Sequence, residues 1–314
     1  MALLGGEASA AEPPAWFADS LLFIKDDAAE AAKEGKRVML YFGQDGCPYC
    51  ERLLELNLRQ ARIVDKMKKN FVSLAFNIWG DREVTWVDGK AMSEKQLAAA
   101  LKVQFTPTLL FLDEKGGVAL RVNGYLPPNR FESALDYVAG RMERKVSFAQ
   151  FASAKETANP HLNPQPFFLK PPYDLRRKPG GKPLAVLFET THCAGCDELH
   201  REAFTRKEVL GRLAQFDVVR LSPADVLVAP AGQKVKGAEW ANQLKLTYVP
   251  SILFFDDRGR EVFRIEAYTR PFHLAGSLEY VASGAYRTEP SFQRFLQAES
   301  DRIRARGGQV DLWK

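Results

Sequence analysis

The sequence predicts an α/β chain built of two like modules in tandem, each a mixed sheet of four to five strands flanked by helices. Three observations carry that expectation. The length of 314 residues is about two domains' worth at roughly 150 residues each. The chain has only four cysteines, in two pairs of identical spacing, Cys47-Pro48-Tyr49-Cys50 and Cys193-Ala194-Gly195-Cys196. The segment from Phe105 to Gly116 (FTPTLLFLDEKG) matches that from Tyr248 to Gly259 (YVPSILFFDDRG) almost position for position, 143 residues later. The repeat extends to Arg37–Phe42 against Pro183–Phe188 and Gly124-Tyr125 against Ala267-Tyr268. It also pairs Tyr137-Val138-Ala139 with Tyr280-Val281-Ala282, and Ser147, Phe148 and Phe151 with Ser291, Phe292 and Phe295.

The elements follow in order. Asp26 is placed to cap a helix that runs to Gly35. A buried strand is expected over 37–42, a helix from Pro48 to Asn57 and another over 61–69. A strand over 71–78, a helix over 93–102, strands over 108–113 and 117–123 and a helix from Asn129 complete the first copy. The second repeats this with strands at 184–189, 216–221, 251–256 and 261–266, and helices at 195–203, 206–214, 238–245 and 271–282. The modules are bounded at 12–155 and 183–314. Between them, 156–182 reads as an extended linker, because the stretch 156–183 holds 7 of the 18 prolines and Gly180-Gly181. Phe167-Phe168 and Tyr173 within it suggest that part of the linker lies against a module surface.

Composition excludes several classes. Hydrophobic residues are 46% and charged residues 26%, unlike a disordered, collagenous or disulfide-scaffold chain. No apolar run approaches the ~18 residues a membrane-spanning helix needs. The net charge of +5 is spread along the chain, with concentrations at Arg176-Arg177-Lys178 and at Arg302, Arg304 and Arg306. A nucleic-acid stripe is denser and interleaved with aromatics, so no nucleic-acid partner is expected.

C-x-x-C serves zinc binding, haem attachment or thiol–disulfide exchange. Haem attachment needs His after the second Cys, where Glu51 and Asp197 stand. A four-Cys zinc site would require pairs 146 residues apart to meet, without the knuckles of structural zinc. The chain thus reads as an exchange protein or as a binding module, and the second class includes a partner-docking or chaperone scaffold and a Cu(I)- or zinc-holding thiol protein. Metal content of the reduced protein separates the two.

A strand, a CxxC at a helix start, and a Pro about 60 residues later opening a hairpin resemble the thioredoxin fold in both copies. The first copy, through Trp16-Phe17, Gly35-Lys36-Arg37, Tyr41 to Cys50 and Thr106-Pro107-Thr108, also resembles periplasmic SoxW-type thioredoxin-like proteins of sulfur-oxidation operons. That resemblance implies protein thiols and disulfides as substrates, an upstream redox partner and no prosthetic group. It suggests a setting in which a sulfur-carrier or cytochrome-maturation partner is kept reduced. The resemblance of both copies to the thioredoxin fold implies cis peptides at Thr106-Pro107 and Val249-Pro250, where the residue before Pro presents its backbone to an extended substrate.

Exchange proceeds by thiolate attack, so the first Cys needs an exposed sulfur and a setting that favours the anion. A helix N-terminus supplies that setting, and Pro48 at the first helical position leaves no N–H unused. Cys47 and Cys193 are the expected nucleophiles, with Cys50 and Cys196 as resolving thiols. Both copies depart from ordinary thioredoxins. The buried acid six residues before the nucleophile is replaced by Tyr41 and Leu187, and the preceding Trp by Gly46 and His192. Glu189 is a candidate proton acceptor, although a strand-end Glu is more commonly solvated. His192 either assists Cys193 or stands by. His161, His200 and His273 are expected at the surface, and Gly195 is expected to loosen the second turn, so the two sites should differ in potential. Ala8-Ser9-Ala10 has the form of a signal-peptidase site, which predicts a periplasmic protein with a truncated signal peptide. A monomer is expected.

Overall fold

The structure, a computed structural model, describes residues 12–153, 159–246, 248–266 and 269–308. The Ala8-Ser9-Ala10 motif and the Ala267-Tyr268 repeat match lie outside the described residues. The chain divides into two compact units, Met1–Ala152 and Ser153–Lys314.

In the first unit, α1 (Ile24–Lys33) precedes the central strand β1 (Arg37–Gly43), and Gly35 takes the left-handed φ of +73° that ends the helix. Asp26 does not cap α1: Phe23 holds that position with no side-chain bond, and Asp26 and Asp27 lie in the first turn. There a carboxylate favours the positive end of the helix without capping it. After β1 come α2 (Pro48–Arg52) and α3 (Ala61–Asn70), with a turn of π-helix over Leu53–Asn57 between them. The rest is β2 (Phe71–Asn77), a hairpin of β3 (Glu83–Thr85) and β4 (Ala91–Ser93), α4 (Glu94–Ala100), β5 (Thr108–Leu112), β6 (Val118–Asn123), α5 (Pro128–Ala139) and α6 (Phe148–Ser153). The main sheet has the order β2-β1-β5-β6, with β1 parallel to β2 and antiparallel to β5. Side chains alternate across β1, so Val38, Leu40 and Phe42 join the core that includes Ile24, Ala28 and Leu97. Met39, Tyr41 and Gly43 therefore face the opposite side.

The second unit begins with β7 (Tyr173–Asp174) and continues with β8 (Leu184–Phe188), α7 (Ala194–Glu198), a π-turn over Leu199–Ala203, α8 (Lys207–Leu213) and β9 (Asp217–Leu221). A hairpin of β10 (Val226–Val228) and β11 (Lys234–Lys236), α9 (Gly237–Gln243), β12 (Ser251–Phe255), β13 (Glu261–Glu266), α10 (Pro271–Ala282) and α11 (Phe292–Ala305) complete it. The sheet order β13-β12-β8-β9 repeats that of the first unit. Leu184, Val186 and Phe188 share a core with Leu253 and Trp240.

Part of the proline-rich stretch repeats the start of the first copy. Leu169 N–H donates to Val218 O at 2.8 Å, as Ala18 N–H does to Ser73 O at 2.9 Å. Phe167-Phe168 thus takes the place of Trp16-Phe17. Tyr173 pairs in parallel with Leu227, as Phe23 does with Thr85. The second copy has no helix corresponding to α1 among its described residues.

Candidate active site

Each cysteine pair is built by the end of a central strand and the first turn of the following helix. Cys47 caps α2 and Cys193 caps α7, and in each case the sulfur accepts the backbone N–H of the second cysteine at 3.1 Å. In the second copy the same N–H also reaches Cys193 O at 3.0 Å, and in both it stabilises negative charge on the first sulfur whenever the pair is open. Cys47 is bonded to Cys50 and Cys193 to Cys196, with Cα–Cα 5.2 Å in both, inside the ordinary disulfide range. The turn through Gly195 is therefore no wider than the turn through Tyr49. Backbone bonds returning to Cys47 O and Cys193 O fix both turns the same way.

The first cysteines are not open. Cys47 is 4% exposed and Cys193 3%, because each is tied to its partner at the buried start of a helix. The residues before them, Gly46 and His192, are exposed and both left-handed, at φ +65° and +55°. Glycine takes that conformation freely, whereas a residue with a Cβ is strained there by about 1–2 kcal/mol. His192 N–H donates to Asn159 O at 2.8 Å, which helps to hold the strained turn.

The Thr106–Pro107 and Val249–Pro250 peptides are cis. Both loops are closed alike: Thr108 Oγ1 donates to Phe105 O, and Ser251 Oγ to Tyr248 O, each at 2.6 Å. Thr106, Pro107 and Pro250 are buried and Val249 is partly exposed.

Beneath the pairs the copies diverge. Tyr41 is buried, and burial pushes its phenol above the ordinary tyrosine range. Its ring lies over Gly43, where a Cβ would come within 2.5 Å of the phenol oxygen. Position 146 residues later, Leu187 is smaller and Glu189 replaces the glycine. Glu189 is not solvated: it is 1% exposed, and its Oε1 lies 2.8 Å from Nε2 of His200. His200 is likewise not a surface residue, at 6% exposure. It follows Cys196 by four residues and so shares that residue's inward face. His273 keeps some surface, but its ring packs on Phe272 and burial pushes it down to about 4. His161 is exposed.

Sequence reasoning missed His200, Gln165, Asn159 and the role of Tyr41. One signal was available, since Tyr41/Gly43 and Leu187/Glu189 align at the offset of the cysteines. Among the described residues no group of three or more His, Cys, Asp or Glu could hold a metal ion, and no helix is long and apolar enough to cross a membrane.

A paired-cysteine helix start, repeated over two like sheets, defines a thiol–disulfide oxidoreductase with protein thiols as its substrates. The family model for the thioredoxin-like domain matches residues 24–139 and 176–282. The chain belongs to that family, with two domains in tandem. Among solved structures, a thioredoxin-fold protein of Helicobacter pylori is 26% identical, covering 45% of this chain and 86% of its own, with a TM-score of 0.35. A thioredoxin from Thermus thermophilus is 27% identical over 36% of this chain and 81% of its own, with a TM-score of 0.29. A protein disulfide oxidoreductase from Aeropyrum pernix aligns over 86% of this chain and 97% of its own, at 14% identity and a TM-score of 0.27. No curated protein matches.

Proposed function

We propose that both pairs exchange disulfides with protein partners in the periplasm, each as a separate site. In the reducing direction Cys47 and Cys193 attack the partner's disulfide and Cys50 and Cys196 resolve the mixed disulfide, and in the oxidising direction the same steps run in reverse. The observation that carries this reading is the 3.1 Å bond from the second cysteine's N–H to the first sulfur in both copies, which favours the attacking thiolate. The direction of transfer is set by the potentials of the partners. The backbone at Thr106-Pro107 and Val249-Pro250 receives the extended partner segment, and the fixed loops beneath these residues support that role. The two modules, which the sequence bounds at 12–155 and 183–314, work within one chain, as a monomer, the second together with the segment 159–182 that packs on it. The Ala8-Ser9-Ala10 motif supports export.

Trapping tests the reading. Cys50→Ser and Cys196→Ser, expressed separately in the native host, are each expected to accumulate mixed disulfides through the remaining first cysteine. Absence of any adduct from both variants contradicts the proposal, and recovery of the adducts from the cytoplasm alone contradicts the compartment.

A further inference from the structure

A stretch of chain is bonded to the residues at both ends of the second cysteine motif. Asn159 O accepts the backbone N–H of His192, the residue before Cys193, at 2.8 Å. Asn159 N–H donates to Oδ2 of Asp197, the residue after Cys196, at 3.1 Å. The other carboxylate oxygen of Asp197 takes the Asn163 amide at 2.6 Å. One short segment thus joins the two ends of the motif. Between the cysteines, Gly195 is buried although it has no side chain to shield it, whereas Tyr49 in the first pair keeps some surface. Among the described residues no such segment bonds to Gly46 or to the Glu51 carboxylate, the corresponding positions.

The composition of this stretch makes it separable from the module beneath. Asn159, Pro160 and His161 are exposed and Leu162 is only half-buried, so lifting it uncovers little apolar surface, the mark of a segment that opens locally. Pro160, Pro164 and Pro166 have no N–H and a fixed φ, which leaves few backbone donors to hold the stretch and makes it stiff. Further on it is anchored by Arg220, which donates to Asn163 O, and by Phe167 and Phe168, which pack on Phe204. At the site itself the strong hold is a carboxylate, since hydrogen bonds to an ionised acceptor exceed neutral ones. The bond on the other side keeps His192 at its left-handed φ of +55°, a strain that persists only where the surroundings impose it. The stretch therefore has one strong latch, Asp197, and one strained contact, His192.

We propose that residues 159–163 form a strap latched by Asp197 across the second exchange site, and that the strapped site takes small or extended disulfides while a folded partner reaches Cys193 only when the strap lifts. The inference rests on the exchange reading of that site. Strapped or open, the step is the same. The Cys193 thiolate attacks one sulfur of the incoming disulfide and a bond forms between them. The old S–S bond breaks, and its electron pair leaves on the other sulfur of the partner. The strap acts on the approach, because attack needs the three sulfurs aligned and a bulky partner needs room around Cys193 to align them. Selection between partners then differs between the two sites through a segment outside both motifs.

The full chain carrying Cys47→Ser, Cys50→Ser and Cys196→Ser keeps Cys193 as its one thiol. It is reduced and mixed either with dithiodipyridine, a small uncharged disulfide, or with the pyridyl mixed disulfide of a folded carrier protein that bears one surface thiol. Release of pyridine thione, followed by absorbance, gives a rate for each probe. Both probes meet the same thiolate, so a change in its acidity cancels in the ratio of the two rates. Asn163→Ala and, separately, Asp197→Ala are expected to raise the carrier-to-small ratio about tenfold, the lower reach of losing one hydrogen bond to a charged group. In a chain that keeps Cys47 alone, the same substitutions are expected to leave the ratio unchanged. An unchanged ratio at Cys193 in both variants overturns the proposal, as does an equal rise at Cys47. A fall at Cys193 also overturns it, since the strap would then be a docking surface. No release from the small probe at Cys193 with the strap intact overturns the exchange reading and the proposal with it. Hydrogen exchange follows the strap directly: the His192 N–H is expected to lose protection about tenfold in the variants while the amides of Leu184–Phe188 keep theirs. Full protection at His192 in both variants overturns the assignment of Asp197 as the latch.

Discussion

In the first module Tyr41 folds its phenol over Gly43, whereas in the second Leu187 leaves that room to Glu189, which reaches His200. The backbone frames are otherwise alike: the same sheet order, the same capping sulfur and the same left-handed residue before the first cysteine. A buried phenol thus stands in the first module where a buried carboxylate and an imidazole stand in the second. Two sites with one backbone geometry therefore differ in their buried polar groups through exchanges at a few positions. The aromatic segment packed on each site follows suit, with Phe17 against Tyr41 at 6.2 Å and Phe168 against His200 at 5.9 Å.

The largest asymmetry expected on substitution is in stability. Arg37 is 3% exposed and binds Glu114, Glu143 and Val138 O, while the aligned residue in the second copy is Pro183. Arg37→Met is expected to cost the first module about 3 kcal/mol, the low end for breaking a buried pair, because Arg141 and Arg144 still hold Glu114. Hydrogen exchange resolved by module should show this loss in residues 12–152 and little change beyond.

The packing exchange beneath the sites can be broken next. Gly43→Ala places a methyl against the Tyr41 phenol, and denaturant titration should show a loss of about 1–3 kcal/mol. In a Tyr41→Leu background the same change should cost much less, a coupling that a double-mutant cycle measures. Equal penalties in both backgrounds would show that the phenol is not what excludes a side chain at position 43.

Acid should act on the modules in different windows. Burial raises Glu114, but hydrogen bonds from Arg141 and Arg37 overcome it and hold the carboxyl at about 2. Its folded value lies below its unfolded one, so its contribution is present above the ordinary carboxylate range and is lost as pH falls toward about 2. Solvent screening limits that contribution to about 1–2 kcal/mol. Burial holds His273 at about 4, so the unfolded chain takes up its proton first. Stability from His273 is present above about 6.5 and is lost as pH falls through about 4. Module-resolved unfolding against pH should show the second module weakening first. The smallest effect is at His192: His192→Gly should stabilise the second module by about 1 kcal/mol, read as a raised midpoint in denaturant.

Much of this frame was legible in the sequence because the repeat marks the elements twice. The strands 37–42 and 184–189 and the helix at 271–282 fall within a residue or so of where periodicity puts them. The short hairpins β3-β4 and β10-β11 were not legible, since three-residue strands carry too little alternation to stand out. Neither was the kinship of Phe167-Phe168 with Trp16-Phe17, because the loss of the intervening helix shifts the offset and prolines mask the pattern. Glu189 and His200 each look ordinary alone. Their meaning lies in a contact across 11 residues, joining a strand end to a helix face, that no local pattern reports.

We propose that one chain holds two working exchange sites of like geometry and unlike buried surroundings. Equilibrating the whole protein in a series of dithiothreitol redox buffers, alkylating the open thiols and quantifying each CxxC peptide by mass spectrometry tests it most directly. Both pairs are expected to open and close reversibly, with separate midpoints. A pair that never exchanges, or two pairs with the same midpoint, would contradict the account.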